Sequence, residues 1–169
     1  MYTPHTVTLV ISNETDDGMN YNPVILEGVF LDLSKQSNVK KSGLADADAA
    51  TLFIPFTVKA EYPATPEQGS AIAGKAIAGI AISGKDMHTK TYILPKAYAA
   101  AEEKGDFWTL FDGGESSGAE CYFIKGAIQD AAISYAEARN TYDYVYHVTT
   151  VDLRDFGMKR MQHWQVGGR

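Results

Sequence analysis
The chain has one cysteine, Cys121. No disulfide can form within it, and a cysteine-type zinc site is excluded. Basic residues are scarce and scattered: 15 Lys and Arg stand against 21 Asp and Glu, a formal net charge of −6. A nucleic-acid groove needs clustered cations. The only adjacent basic pairs with any claim are Lys40-Lys41 and Lys159-Arg160, which are too short to form one. No stretch reaches the ~18 uninterrupted apolar residues of a membrane-spanning helix. The opening Met-Tyr-Thr-Pro-His-Thr lacks the basic-then-apolar order of a signal peptide, so synthesis in the cytosol is expected. Catalytic signatures are missing as well. There is no phosphate-binding loop, no dinucleotide fingerprint and no Gly-x-Ser-x-Gly elbow. Asp155-Phe-Gly157 matches the kinase magnesium tripeptide but has none of its companion motifs.

What is present is strand material. The 169 residues are 45% hydrophobic and 21% charged, enough for one domain with a core. Val7–Ile11 alternates with period two, and Val24–Leu33 follows after a polar stretch ending in Asp17-Gly18. That arrangement predicts a hairpin. Gly28, inside the second run, predicts a bulge or a close backbone approach. Thr51–Val58 reads as a third strand, demoted to an edge or bulged position by Pro55. Thr91–Leu94 and Phe107–Phe111 read as short strands, with Glu120–Ile124 returning as the partner of the latter across a glycine turn. Pro95 and Gly105 bracket a helix over 96–104. Ile128, Ala131, Ala132, Tyr135 and Ala138 carry helical spacing over 127–139. The end of the chain, Tyr142–Asp152 and Met161–Arg169, reads as a long aromatic strand, a Phe-Gly turn and a second strand pinned into a sheet. The fold expected is mainly β (α+β): a small barrel or sandwich of about seven to eight strands with one or two short helices. It forms one domain over 1–169 with a low-complexity insertion at about 64–90.

Within that insertion, Ala71-Ile-Ala-Gly-Lys, Ala76-Ile-Ala-Gly-Ile and Ala81-Ile-Ser-Gly-Lys repeat every five residues, a period of neither helix nor strand. The segment reads as an expanded hairpin loop. Packing against another subunit is the alternative, because an exposed apolar loop is a liability on a monomer.

Three sets of side chains offer chemistry. His147 and His163 approach each other if the terminal strands pair in suitable register, and with Asp152 or Asp155 they would then hold a metal. Cys121 becomes a nucleophile only beside a histidine, and otherwise packs as a small apolar group. Tyr142, Tyr144, Tyr146, Trp108 and Trp164 suit either a sugar-stacking platform or an interface or core face.

The run Val151-Asp-Leu-Arg-Asp-Phe-Gly-Met-Lys-Arg-Met-Gln-His-Trp-Gln-Val-Gly-Gly168 resembles the close of small tailed-phage neck and minor capsid proteins. Leu26-Glu-Gly-Val-Phe-Leu-Asp32 and Asp48-Ala-Ala-Thr-Leu-Phe-Ile-Pro55 resemble segments of an uncharacterised phage and prophage structural family of gut Firmicutes. The resemblance implies a head-completion or head–tail connector (stopper-like) subunit, a small barrel arranged in a ring, with no catalytic residue, cofactor or metal. It further implies portal or adaptor and tail proteins as neighbours, DNA passing through a channel without specific binding, and a place in the virion after synthesis in the bacterial cytoplasm. The expected interface residues are Ile72, Ile77, Ile80, Ile82, Tyr144, Tyr146 and Trp164, with the loops 34–48 and 64–90 as contact surfaces. A β-sandwich carbohydrate-binding module and a metal-dependent hydrolase on His147 and His163 are the alternatives.

Overall fold
A computed structural model describes residues 2–33, 50–63, 87–112 and 120–169. The loop 34–48, most of 64–90 and the residues Ile72, Ile77, Ile80 and Ile82 lie outside the described residues.

The strands are β1 (His5–Thr15), β2 (Gly18–Asp32), β3 (Ala50–Pro55), β4 (Lys59–Pro63), β5 (Met87–Thr89), β6 (Thr91–Tyr92), β7 (Phe107–Trp108), β8 (Glu120–Lys125), β9 (Val145–Arg154) and β10 (His163–Gly168). Among the described residues two α-helices, α1 (Pro95–Ala100) and α2 (Tyr135–Thr141), join them. The antiparallel order β1-β8-β9-β10-β3-β2 closes through β1–β2 pairing into a six-stranded barrel. β4 and β5 extend the sheet from the free part of β2. The expected barrel with few helices is therefore the architecture found.

Closure leaves no open edge in the ring, and the pleat sends alternate residues inward. Val7, Leu9 and Ile11 from β1, Val24 and Leu26 from β2, Leu52 and Ile54 from β3, Phe123 from β8 and Val166 from β10 are all fully buried in one cluster. The first hairpin turns on Asp16-Asp17, with Thr15 opposite Gly18. The expected bulge falls at Gly28 (φ +80°), where the register jumps from His5↔Val29 to Thr6↔Glu27. One extra residue lets Val29 and Leu31 face inward although Val24 and Leu26 were in the opposite phase.

The outer face of β1 and β8 is also covered. Val10, Tyr122 and Ile124 pack beneath Ala131 and Ala138, with Ile128, Ile133, Tyr135 and Tyr142 around them. Thr8 is buried there: its hydroxyl donates to Gly126 O and accepts from Ile128 N, both at 2.8 Å.

Several local expectations are corrected. β3 is flanked on both sides, by β10 and by β2, and is neither edge nor bulged. Pro55 is tolerated as its last residue. β7 does not pair with β8; it runs parallel to β6, while Trp108, Leu110 and Phe111 turn into the barrel core. The first helix stops at Ala100, because Asn22 takes the carbonyls of Lys104 and Phe107 and holds that stretch as a loop. The second helix begins only at Tyr135. Residues 127–134 cover the β1–β8 wall without helical backbone.

Candidate functional site
β9 and β10 pair antiparallel, as expected, and their register decides the fate of the two histidines. His163 lies opposite Arg154, whereas His147 exchanges backbone hydrogen bonds with Arg169 at 2.8 and 2.9 Å. They stand at opposite ends of the strand pair and cannot share a metal. His147 instead faces outward, 5.4 Å from the Tyr135 ring and 3.8 Å from the Glu120 carboxylate. His163 bonds Met161 O at 2.7 Å through Nδ1. Among the described residues no group of three or more His, Cys, Asp or Glu is placed to hold a metal.

Trp108 and Trp164 are 2% and 7% exposed, and their rings lie 5.7 Å apart inside the barrel. Tyr92 and Phe56 close over Trp164 at 4.5 and 4.3 Å. Neither tryptophan is available to a sugar or a neighbouring subunit, which corrects the placing of Trp164 at an interface. Tyr146 packs on Phe123 at 5.5 Å. Tyr144 is exposed and carries the Lys125 ammonium over its ring at 5.0 Å. Cys121 is fully enclosed, accepts from Phe111 N at 3.4 Å, and burial pushes its thiol up to about 12. It is the small apolar side chain the sequence allowed.

Two features of the surface were not read from the sequence. The first is apolar. Leu153, Phe156, Met158 and Met161 are between 57% and 69% exposed, all on or beside the β9–β10 connection. A row of half-buried rings adjoins them, His5, Phe30, Phe53 and His163, each 5.6–5.8 Å from the next, running across β1, β2, β3 and β10. His163, the end of the row, follows the short 3₁₀ turn Lys159–Met161, while Leu153 lies opposite Trp164 on the other side of the strand pair. The alternation of Phe30 and Phe53 against their inward neighbours was a visible signal. Their cross-strand alignment needed the register.

The second feature is polar: a cleft of about 430 Å³ between β2, β4, β5 and the loop before β7. Asn22, 6% exposed, lies in phase with Val24 and Leu26, where an apolar residue would be expected. Its amide donates to Tyr98 OH and Lys104 O at 2.8 Å and to Phe107 O at 2.9 Å. The fixed amide turns Oδ1 toward Lys90, 8% exposed, which donates to it. His88 and Asp106 pair at 2.5 Å on the rim. A polar residue at an inward position of β2 was the legible clue. Nothing in the sequence pointed to Lys90.

Closed antiparallel barrels of this size serve many unrelated roles, so the fold alone assigns none. The chain belongs to a family of unknown function, DUF6751, whose signature spans residues 2–169. No curated protein and no solved structure matches it.

Proposed function
We propose that the chain is a non-enzymatic assembly subunit, a phage virion structural protein of the head–tail connector type, which works through ring-forming contacts. The exposed apolar tip of β9–β10, together with the half-buried ring row of β2, β3 and β10, supports this reading. Surfaces of that kind on a closed barrel need a cover, and a second copy of the same chain supplies it in a heterologous, ring-closing contact. Portal or adaptor and tail proteins are the further partners, DNA passes through the ring without specific binding, and the virion is the site of action. The alternatives have less support: the tryptophans of the carbohydrate reading are interior, leaving its tyrosines, and the two histidines of the hydrolase reading are separated.

Native mass measurement tests the reading. The wild-type chain is expected as a defined multimer. The double variant Phe156→Ser and Met158→Ser, folded by circular dichroism because neither side chain is in the core, is expected as a monomer whose unfolding midpoint falls only by the loss of the subunit contact. A wild-type chain that stays monomeric at high concentration and captures no portal or tail protein overturns the proposal.

A further inference from the structure
The cleft around Lys90 goes beyond an assembly role. A lysine ammonium enclosed by protein has lost its water and needs compensation, normally from a carboxylate. Lys90 has only a neutral one. Its hydrogen-bond acceptor is the Asn22 amide oxygen, and the Tyr62 ring sits 5.7 Å away. Among the described residues no carboxylate is in salt-bridge contact with it, and Asp106 acts on it only at longer range. Asn22 is itself locked by three acceptors, so the ammonium is held in one place and its remaining N–H bonds are left for something else. Lys104 brings a second cation to the same cleft, its Nζ tied to Ala101 O at 2.6 Å. Asp106, the one carboxylate on the wall, is already engaged with His88. In a chain of net charge −6, this concavity gathers positive charge.

We propose that the cleft between β2, β4 and β5 is a binding site for a small anion, a carboxylate or a phosphate, with Lys90 as its counter-charge, Asn22 as the residue that positions Lys90, and Tyr62 and Tyr21 as the wall for the ligand's body. The volume, about 430 Å³, holds an anion with an attached ring. An anion placed against the ammonium recovers the attraction that burial left unused, and it is worth more there than on the surface.

The site predicts its own pH dependence. Burial holds the Lys90 ammonium down to about 8. The groups facing it are His88, Asp106, Lys104, Tyr62 and, through Asn22, Tyr98. Burial raises both tyrosines, so they stay neutral across the window. Below about 8 the cation is present in the free protein, and affinity for a probe of fixed charge is flat. Above it the free protein loses the charge, and affinity falls by about tenfold per pH unit.

The test uses the full chain with inorganic phosphate, acetate and benzoate as separate probes, and chloride at equal ionic strength as background. Saturable binding is followed by calorimetry and by thermal shift. The expected result is millimolar or tighter binding of at least one probe, weakened at least tenfold by Lys90→Met and lost with rising pH through about 8 in the wild type. Phosphate preferred over both carboxylates identifies an oxyanion site; benzoate preferred over acetate identifies a carboxylate with an aromatic body. Lys90→Met relieves an enclosed charge and is expected to fold. Should it fail to, Lys104→Met and the wild-type pH profile still decide. No saturable binding of any probe, binding undiminished in Lys90→Met, or wild-type affinity indifferent to pH between 7 and 10 overturns the proposal.

Discussion
Two glycines show how differently one residue type constrains this chain. Gly28 is needed for backbone conformation. At φ +80° an L side chain is strained, yet a Cβ there would meet nothing closer than Thr3 Oγ1 at 3.9 Å. Gly168 is needed for space. A Cβ on it would lie 2.8 Å from Phe123 Cζ and 2.9 Å from Tyr146 Cβ, where β10 passes over β8 and β9. Neither neighbour can retreat: Phe123 is fully buried in the barrel, and the second atom is attached directly to the backbone. Gly168→Ala is therefore expected to cost ~1–3 kcal/mol as an overpacking change, read as a lower urea midpoint at unchanged slope. Gly28→Ala is expected to cost ~1 kcal/mol from backbone strain alone. Of these two requirements the sequence displayed only the first, because a glycine interrupting a period-two run signals a bulge. The crowding at Gly168 depends on two strands distant in sequence. The same holds for Lys90. Its solitary partner Asn22 sat legibly out of place in an apolar phase, but only the tertiary fold delivers the ammonium to it.

At the scale of elements, strands were more legible than helices. β1, β2 and β10 follow their alternation because each has one face inside a closed barrel. The helical spacing of 127–139 holds only in its second half: Tyr135 and Ala138 belong to α2, while Ile128 and Ala131 cover the β1–β8 wall from irregular backbone. What starts α2 is chemistry at Ser134. Its hydroxyl accepts from Glu137 N at 3.3 Å, and the Glu137 carboxylate takes the Ser134 N–H at 3.0 Å, a capping box. These bonds to the charged form hold the Glu137 carboxyl below its usual range. The cap is thus present at neutral pH and is lost as pH falls through the carboxylate range. Ser134→Ala is expected to destabilise by ~1 kcal/mol. Faster amide exchange at Glu137 would accompany it, with the barrel strands unaffected. Equal loss of protection in β1 and β8 would mean that the cap supports the whole outer layer.

At the scale of the whole molecule, β10 is the strand that makes the barrel a barrel. It lies between β9 and β3, and no other pairing joins those two. It also inserts Trp164, at the centre of the aromatic cluster with Tyr92, Phe56 and Trp108, and the fully buried Val166. Losing the indole alone removes ~3–5 kcal/mol, and Val166 adds ~1.5 kcal/mol or more. The total stability of an ordinary domain is only ~5–15 kcal/mol. Two unpaired edges would open as well, on strands rich in β-branched and aromatic residues, and exposed edges recruit other chains. Truncation after Gln162 is therefore expected to abolish cooperative unfolding and drive the chain into aggregates. Trp164→Phe keeps the strand and most of the cluster, and is expected to remain folded with a lowered midpoint. Equilibrium denaturation followed by tryptophan fluorescence and sedimentation distinguishes the two. A truncated chain that unfolds cooperatively as a soluble species would mean that the remaining strands hold together without closure, and that β10 is not required to join β9 to β3.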